Sequence, residues 1–365
     1  MSIKLSSKIL LLTRYNDRGA SSRLRFLQYI PYLESNKISI TTSTFFDDDY
    51  TKLLSINNKR STLKVLESYI KRFFIFLTVY KYDLIWIEKE IFPFLPAWFE
   101  KILKLAGKPY VVDYDDAIFH DYDLSKNYLV KKLLGNKISD VMKNAKSVIV
   151  GNQYLANYAE NAKSTSVKFV PTVVDPSRYN YKTKNLNKSL TIGWIGSRST
   201  QKYLLSIYDA LVAVCNSHKT RLLLVGATSE ISNKLQGLKF DILPWSKDSE
   251  SELIQQMDIG IMPLIDGPWE RGKCGYKLIQ YMACSVPVIA SSVGANIDIV
   301  QKSQSGLLAD DVQAWQNSLI QLLDNPEERQ KFGKSGRKAV ENFYSSKVQA
   351  PLMKDILHNA VKFKS

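Results

Sequence analysis

The sequence has few of the residues that build metal centres and disulfide frameworks. It contains three cysteines, Cys215, Cys274 and Cys284, and three histidines. No two cysteines form a CxxC pair, and no cluster of histidine with cysteine is present. This scarcity argues against a disulfide scaffold and against a zinc site, and it fits a reducing compartment. We therefore expect a cytoplasmic protein that binds no metal.

Long apolar runs are also missing. Near the N-terminus only Ile9–Leu12 is continuously apolar, which is too short for the hydrophobic region of a signal peptide. The longest nearly unbroken apolar run, Phe73–Val79, contains Thr78 and is far shorter than the roughly 20 residues that span a bilayer. We expect a protein that is soluble or that lies on a membrane surface.

The chain is rich in apolar residues and in positive charge. Its 365 residues suit two domains, and 45% hydrophobic with 11% aromatic residues is enough for packed cores. The formal net charge is +15. Such a charge favours anionic partners, namely nucleic acid, anionic lipid or phosphorylated substrates, although a generally basic solvated surface is the alternative.

Strand and helix patterns alternate along the whole chain. One series extends from the strand Ile9–Thr13 to the strand Val167–Phe169, and a second series begins at Leu190–Ile195. This alternation predicts an α/β protein in which two Rossmann-like domains, each with a parallel sheet, face each other across a cleft.

The predicted domain boundaries follow from a change in composition. Residues 172–189 are polar and turn-prone, so they are interpreted as a linker between domains 1–171 and 190–345. The remaining residues, 346–365, predict a terminal helix that can pack back on the first domain.

A long helix is predicted to begin after Ser61, which is a suitable N-cap. Its predicted apolar face, by helical spacing, consists of Leu63, Leu66, Ile70, Phe73, Phe74 and Leu77. The surrounding stretch, 59–81, is also basic. It therefore fits either core packing or contact with an anionic lipid surface.

The stretch 270–296, ERGKCGYKLIQYMACSVPVIASSVGAN, combines glycines, lysines and a helix start. Gly272 and Gly275 allow close backbone approach, and a helix beginning after them offers free N–H groups to an anion. Lys273 and Lys277 add positive charge. The stretch predicts a nucleotide-diphosphate pocket at the carboxyl edge of a parallel sheet.

A set of motifs is distributed over nearly the whole chain. In order, they are RGASSRLRFLQYIPYL, VVDYDDAIF, VIVGNQYLANYA, VPTVVDPSRY, IGWIGSRSTQKYL, DIGIMPL and ERGKCGYKLIQYMACSVPVIASSVG. In this order and spacing, the set resembles the family 4 glycosyltransferases, which have the GT-B fold. The resemblance implies an enzyme of the EC 2.4 class that transfers a hexosyl-type sugar from a nucleotide sugar with retention of configuration. It implies no metal and no other cofactor.

The resemblance also implies partners and a location. The acceptor is expected to be a glycan or a lipid-pyrophosphate-linked glycan, in the synthesis of a surface polysaccharide of the O-antigen or capsule type. Such an enzyme can lie peripherally on the inner face of the cytoplasmic membrane. No nucleic-acid partner is expected, because no helix-turn-helix, RNP-like or zinc pattern accompanies the positive charge.

In the family, a loop after the first strand of the second domain holds the donor phosphates. Gly196, Ser197, Arg198 and Lys202 occupy this loop here. Lys202 matches the family lysine, whereas Ser197 stands where arginine is usual and Arg198 lies one place along. Solvated charges on the first turn of a helix are the alternative.

The paired-glutamate motif of the family is altered in this chain. Gln280 aligns with the second glutamate, which contacts the ribose, and glutamine can still hydrogen-bond a hydroxyl. Gly272 aligns with the first glutamate, so Glu270 is the candidate to serve near the donor sugar. Lys273 is a candidate for pairing with a phosphate.

Two further donor candidates have structural alternatives. Lys277 lies one helical turn before Tyr281, on a face that meets either the ligand or the core. Gly294, at the next strand-to-helix turn, either presents backbone N–H groups to the donor or is simply a turn glycine.

Two clusters in the first domain complete the candidate site. Gly19 permits close backbone approach after the first strand, and Arg18 and Arg23 are candidates to face a phosphate, with a capped helix start as the alternative. Asp115 and Asp116 end a buried strand, where they are candidates for a polar partner or base near the acceptor hydroxyl. A helix cap and a surface acid pair are the alternative.

Other functions remain open from the sequence. A non-catalytic nucleotide-sugar-binding paralogue is consistent with the missing paired glutamates. An epimerase or phosphorylase would share the fold, and a basic nucleic-acid-binding protein would share the charge.

Overall fold

The structure, a computed structural model, describes residues 7–47, 50, 61–179 and 189–362. The chain divides into two compact units. Unit 1 comprises Met1–Thr172 together with Gln349–Ser365, and unit 2 comprises Val173–Val348. Within the predicted linker, 172–189, residues 180–188 lie outside the described residues.

Unit 1 alternates strands and helices, as expected for an α/β domain. Its described strands are β1 (Ser7–Thr13), β2 (Ile38–Thr44), β3 (Leu84–Glu88), β4 (Tyr110–Tyr114), β5 (Ser147–Val150) and β6 (Val167–Phe169). Its described helices are α1 (Ala20–Arg25), α2 (Ile30–Ser35), α3 (Thr62–Phe76), α4 (Trp98–Leu105), α5 (His120–Asp123), α6 (Tyr128–Leu134), α7 (Lys137–Asn144) and α8 (Gln153–Asn161), with 3₁₀ segments at Leu27–Tyr29 and Val79–Lys81. The strands form one parallel sheet in the order β2-β1-β3-β4-β5-β6.

Unit 2 repeats this architecture. Its described strands are β7 (Thr191–Ile195), β8 (Arg221–Val225), β9 (Phe240–Leu243), β10 (Ile259–Met262), β11 (Val288–Ala290) and β12 (Gly306–Leu308). Its described helices are α9 (Tyr208–His218), α10 (Glu250–Ile254), α11 (Pro268–Arg271), α12 (Tyr276–Ala283), α13 (Ala295–Ser303), α14 (Val312–Asp324) and α15 (Pro326–Asn342), with 3₁₀ segments at Pro176–Arg178, Gln201–Ile207 and Ser229–Lys234. The strands form a second parallel sheet in the order β12-β11-β10-β7-β8-β9. The last helix, α16 (Ser346–Lys362), belongs to unit 1 from Gln349 onward.

Each central strand is apolar on both faces because helices cover both sides of a parallel sheet. Alternate residues of β8 show this directly. Leu222 and Leu224 belong to a hydrophobic cluster that includes Trp194, whereas Leu223 and Val225 belong to another that includes Tyr281. The sheet of unit 2 therefore lies between two cores, which explains why its strands appear in the sequence as continuous apolar runs.

Both sheets reverse their winding direction at an inner pair of strands. In unit 1 the chain leaves β1 toward β2 at one edge, whereas it leaves β3 toward β4 in the opposite direction. In unit 2 the same reversal lies between β7 and β10. In open α/β sheets, ligands bind in the crevice at the carboxyl ends of such a strand pair. The topology thus assigns one candidate crevice to each unit.

The long helix predicted after Ser61 is confirmed as α3, whose first turn is capped by the Ser61 hydroxyl. Of the two alternatives for its apolar face, core packing is excluded. The buried residues of α3 are Ser68, Arg72 and Phe76. The residues of the predicted apolar face are 44–81% exposed, namely Leu63, Leu66, Ile70, Phe73, Phe74 and Leu77.

Arg72 determines which face of α3 is buried. Its guanidinium donates to the Thr13 carbonyl at 2.7 Å and to the Ser43 carbonyl at 3.1 Å, at the ends of β1 and β2. These bonds turn a charged side chain toward the sheet. Since α3 is apolar around most of its circumference, helical spacing alone could not decide which face is buried.

Other elements differ from the sequence prediction in their continuity. The helical pattern of residues 22–35 predicts one helix, but the structure divides it into α1 and α2 by a 3₁₀ segment, and Pro31 lies at the start of α2. The helical pattern of residues 125–143 also predicts one helix, which the structure divides into α6 and α7 around Gly135. The short strand β12 was not predicted, because three residues give no clear periodicity.

The two faces of α3 can be distinguished by mutation. We expect Phe76→Ala to lower the free energy of unfolding of unit 1 by about 3–5 kcal/mol, because a buried ring is lost. The exposed-face variant Leu66→Ala should change it by no more than about 0.5 kcal/mol. Amide hydrogen exchange of β1 and β3 measures this free energy for unit 1 separately. Equal losses of unfolding free energy in the two variants would contradict the observed orientation of α3.

Candidate functional site

Two segments of unit 2 meet at its switch point. One is the loop 196–200, which follows β7, and the other runs from the end of β10 through α11 into α12. The ammonium group of Lys277 in α12 donates to the Thr200 hydroxyl at 3.2 Å. The Tyr203 hydroxyl donates to the carboxylate of Glu270 in α11. These two contacts hold the segments together across the crevice.

Lys277 lies directly beside the glycine of the β7 loop. Its nitrogen is 4.4 Å from the centroid of the Trp194 ring. A β-carbon at Gly196 would come within 2.8 Å of that nitrogen and within 2.3 Å of the Trp194 ring. Position 196 therefore requires glycine, because any side chain would displace the cation.

The charged form of Lys277 is unfavourable in free energy at this position. Burial, reinforced by the nearby charge of Lys273, lowers the pKa of Lys277 to about 7. A bound anion would favour the charged form and offset this cost.

Two glycine turns shape the second segment. Gly275 has φ +64° and begins α12. Gly294 has φ +54°, and a β-carbon there would lie 2.6 Å from the Arg271 carbonyl oxygen. Gly294 thus lets α13 begin close against the backbone of α11. Its contact with a donor stays a prediction.

The other predicted donor residues lie around this crevice with different surroundings. Arg198 forms an exposed ion pair with Glu230. The Ser197 hydroxyl lies 3.0 Å from that of Ser199. The structure therefore turns Arg198 toward a surface carboxylate, while Ser197 bonds within its own loop.

Lys202 and Lys273 both lie near aromatic rings. The nitrogen of exposed Lys202 is 5.1 Å from the centroid of Tyr203, the residue that holds Glu270. The nitrogen of Lys273 is 6.0 Å from the centroid of Trp269. Gln280 is buried at 4% exposure on α12.

In unit 1 the predicted acidic pair is joined to a buried lysine. Asp115 lies 3.0 Å from the ammonium nitrogen of Lys89. Burial opposes ionisation of this carboxyl, but Lys89 and Ser21 outweigh it and hold the pKa of Asp115 below its usual value. Asp115 is thus a stable carboxylate. Asp116 follows it and is partly buried.

The neighbouring Asp113 has a structural partner that the sequence did not reveal. Arg25 of α1 donates from Nε to the Asp113 carboxylate at 2.9 Å, and both side chains are buried. The same guanidinium donates to the Val170 carbonyl at 2.7 Å. Arg25 therefore ties α1, β4 and the end of β6 together.

The predicted phosphate loop after β1 is folded on itself. A β-carbon at Gly19 would lie 2.5 Å from the β-carbon of Tyr15, so the close approach at this glycine is to Tyr15. Arg23 donates to the Asp17 carbonyl at 2.7 Å, and Arg18 is exposed. Gly19 is the N-cap residue of α1, and no side chain caps this helix. Binding of phosphate by Arg18, Gly19 and Arg23 stays a prediction.

The sequence reasoning also missed the charged residues at the end of β3. Glu88, Lys89 and Glu90 are all buried, and Lys89 has φ +66°. The signal was present, because three consecutive charges follow the buried run Leu84–Ile87. A charge at the carboxyl end of a parallel strand is a functional candidate in an α/β fold.

The described ranges hold neither a metal-binding cluster nor a membrane-spanning helix. They contain no group of three or more His, Cys, Asp or Glu side chains placed to hold a metal ion. None of the helices in those ranges is both long enough and apolar enough to cross a bilayer.

The crevice with Lys277 falls within a stretch that a known family matches. Residues 189–325 match the model of the family "Glycosyl transferases group 1". This stretch of the chain is thus similar to a group 1 glycosyltransferase domain. The resemblance to family 4 glycosyltransferases is thereby confirmed for this part of the chain.

A relative of known sequence is a glycosyltransferase as well. The capsular polysaccharide biosynthesis glycosyltransferase CapM of Staphylococcus aureus is 26% identical over 194 residues, which are 51% of this chain and 50% of CapM. The match thus spans about half the length of this relative.

Solved structures show the same fold over both units. Sucrose-phosphate synthase of Thermosynechococcus elongatus has a TM-score of 0.74 at 16% identity, covering 97% of this chain and 98% of its own. Anabaena HepE, solved in complex with UDP, has a TM-score of 0.69 at 17% identity, covering 96% and 100%. Together with the two parallel sheets, these neighbours confirm the GT-B fold class.

Proposed function

We propose that this protein is a glycosyltransferase that takes its sugar from a nucleotide-sugar donor bound by unit 2. The observation that carries the proposal is Lys277, a cation held beneath Gly196 at the switch point of the glycosyltransferase domain. Departure of a nucleoside diphosphate places negative charge at the leaving phosphate. A preorganised cation at that position stabilises the transition state more than the ground state.

The surrounding residues have distinct proposed roles. Lys277 binds the diphosphate, assisted by Lys202 and Lys273 at its border. Gln280 hydrogen-bonds the ribose, and Glu270, oriented by Tyr203, lies near the donor sugar. The bound UDP of HepE supports a uridine donor here. We further propose that the transferred sugar is a hexose type, moved with retention of configuration and without a metal.

The acceptor side of the proposal rests on unit 1. Asp115 and Asp116 are proposed to contact the acceptor hydroxyl, and the ion pair with Lys89 keeps Asp115 charged. The acceptor is proposed to be a glycan or a lipid-pyrophosphate-linked glycan of a surface polysaccharide. The named role of CapM in capsular polysaccharide biosynthesis supports this substrate class.

A donor screen tests whether the protein is a catalyst. We expect one nucleotide sugar to give release of nucleoside diphosphate when a membrane extract supplies the acceptor. Lys277→Met should reduce this release by about 100-fold, the usual scale for losing one stabilising group at a developing charge. Lys302→Met removes an exposed lysine that is paired with Asp298 and serves as the control. Silence with every nucleotide sugar, combined with intact UDP binding, would favour a non-catalytic paralogue.

The pKa of Lys277 gives the donor site a predicted pH dependence. Below pH 7 the lysine is already charged, so UDP binds without proton uptake. Above pH 7 it is mostly neutral, and binding must first restore its proton. Between pH 7.5 and 9, calorimetry should therefore show UDP affinity falling by up to about tenfold per pH unit.

Matched variants separate Lys277 from other sources of pH dependence. Lys277→Arg keeps its charge in this range, so its affinity should be nearly independent of pH. Lys302→Met should retain the wild-type profile. The same pH profile in wild type and in Lys277→Arg would remove Lys277 from the donor site.

We also propose that unit 1 rests on an anionic membrane surface through an α3–α4 apolar face. This face comprises the exposed residues Leu63, Leu66, Ile70, Phe73, Phe74, Trp98, Ile102 and Leu105. The two helices are neighbours, because the ring of Phe99 lies 5.0 Å from that of Phe76 and 6.4 Å from that of Phe73. Exposed apolar patches of this kind mark interaction sites.

The charges beside the α3–α4 apolar face favour a lipid partner over a neutral one. The two helices carry the lysines Lys64, Lys71, Lys101 and Lys104. Their acids are exposed Glu67, which pairs with Lys71, and buried Glu100. Each lysine near an anionic bilayer contributes about 1 kcal/mol of attraction. Such a surface suits a lipid-linked acceptor.

The basic residues 59 and 60 of the predicted membrane stretch lie outside the described residues.

Vesicle sedimentation tests this surface. We expect binding to phosphatidylglycerol-containing vesicles and little binding to phosphatidylcholine alone. Phe74→Glu and Leu66→Glu should each weaken binding at least about tenfold, since a charge replaces an inserted apolar group. Phe343→Glu, at an exposed phenylalanine of unit 2, is the matched control. If the wild type self-associates but does not bind vesicles, and Leu66→Glu abolishes the self-association, the α3–α4 apolar face would instead bind a second copy of the chain.

A further inference from the structure

A polar pocket lies at the switch point of unit 1. Thr13 and Arg14 line it from the end of β1, and Glu88 lines it from the end of β3. Phe45, just after β2, and Arg72 of α3 also line this pocket. This is the crevice that the topology of unit 1 assigns to a ligand, and no residue predicted from the sequence falls in it.

Polar atoms in this pocket lack hydrogen-bond partners. Within the part of the chain that the structure describes, these buried atoms include Thr13 Oγ1, Arg14 Nε, Arg72 Nε and Glu88 Oε1. Arg72 and Glu88 are 2% and 3% exposed. Buried polar atoms in native proteins are almost always paired, so four such atoms around one pocket indicate a partner that enters from outside.

The remaining atoms of these side chains are held firmly. Glu88 Oε2 accepts from the backbone N–H of Arg14 at 2.7 Å and from the Ser22 hydroxyl at 2.6 Å. The Nη2 group of Arg72 donates to two strand-end carbonyls. The free atoms are therefore fixed in place before any ligand binds, which lowers the entropic cost of binding.

The charges nearby leave a small positive excess in the pocket. Lys89 pairs with Asp115, and Glu90 pairs with Lys137. Arg14 and Arg72 then face the single carboxylate of Glu88. Burial lowers the pKa of Arg72 to about 9, which is consistent with a guanidinium that bonds only to backbone carbonyls.

The unpaired atoms together define the chemistry of the partner. The two Nε–H groups need an acceptor, whereas Glu88 Oε1 needs a donor. A hydroxyl group offers both without a charge, whereas the negative charge of a phosphate would be repelled by Glu88. The space open to the centre of a water-sized group is about 10 Å³, enough for one oxygen at a time.

We propose that this pocket binds one hydroxyl group of a sugar ring, with Glu88 as acceptor and Arg14 and Arg72 as donors. One oxygen enters the pocket, and the ring stays at its mouth. The identity of this sugar as part of the acceptor rests on the proposed glycosyltransferase function. The binding itself does not depend on that function, so the two can be tested separately.

Saturation-transfer NMR on the full chain tests the binding directly. The probes are methyl glycosides of glucose, galactose, mannose and N-acetylglucosamine, without nucleotide. We expect saturation transfer to at least one glycoside in the wild type. This transfer should be lost in Glu88→Gln, because the variant places an amide donor where the carboxylate acceptor faces the pocket. Thr13→Val is a second variant that keeps the backbone carbonyl used by Arg72. Glu100→Gln changes a buried carboxylate that does not line the pocket and should leave the transfer unchanged.

Each outcome decides for or against the pocket. Saturation transfer to a glycoside that survives in both Glu88→Gln and Thr13→Val would overturn the proposal. The absence of saturation transfer to every glycoside in the wild type would also overturn it, and water would then be the occupant of the pocket. Displacement of the glycoside by inorganic phosphate at equal concentration would reassign the pocket to anions.

UDP calorimetry on the same samples separates this inference from the proposed function. Intact UDP binding in Glu88→Gln shows that the variant is folded and that unit 2 is unaffected. If the protein binds a glycoside in a manner that depends on Glu88 but does not bind UDP, the pocket is supported and the proposed donor site is refuted. UDP binding with no glycoside effect of Glu88→Gln would refute the pocket alone.

Discussion

A parallel sheet that reverses its winding direction leaves a crevice at its carboxyl edge. Since all strands run the same way, their connecting loops leave at one edge, and at the reversal two adjacent loops depart in opposite directions. Both units of this protein have such a strand pair, β1/β3 in unit 1 and β7/β10 in unit 2. The residues that matter most in each unit lie at these two places.

Burial of charge explains which residues stand out there. An uncompensated buried ion costs several kcal/mol, so most buried charges here are paired. In unit 1 the pairs are Arg25–Asp113, Lys89–Asp115 and Lys137–Glu90. Lys277 and Arg72 instead bond to neutral oxygens at the crevices, which is the arrangement expected of a site that an anion or a polar ligand completes.

Much of the candidate site of unit 2 could be predicted from the sequence because its motifs are local. Gly275 and Lys277 lie within one stretch, and Gly196 directly follows a strand, so their place at the carboxyl edge of the sheet follows from chain order alone. Arg198 could not be placed in this way. Its guanidinium is free to turn, and the surface carboxylate of Glu230, distant in sequence, decides where it points.

The site of unit 1 was predicted less well for the same physical reason. Asp115 was found because it ends a buried strand, whereas the pocket between Arg72 and Glu88 was not. These two residues come from a helix and a strand that sequence spacing cannot bring together. The apolar pattern of α3 left both core packing and lipid contact open, since the hydrogen bonds that turn Arg72 inward end on β1 and β2.

The sequence by itself thus determined the fold class, the strand positions and the glycine and lysine motifs at the carboxyl edge of unit 2. Those features depend on periodicity and on neighbours along the chain. Only the tertiary structure decided which charges are paired, which face of α3 is exposed and where the polar pocket of unit 1 lies. Each of these depends on contacts between elements far apart in sequence, and such contacts decide how a buried charge or a free hydrogen-bonding atom is satisfied.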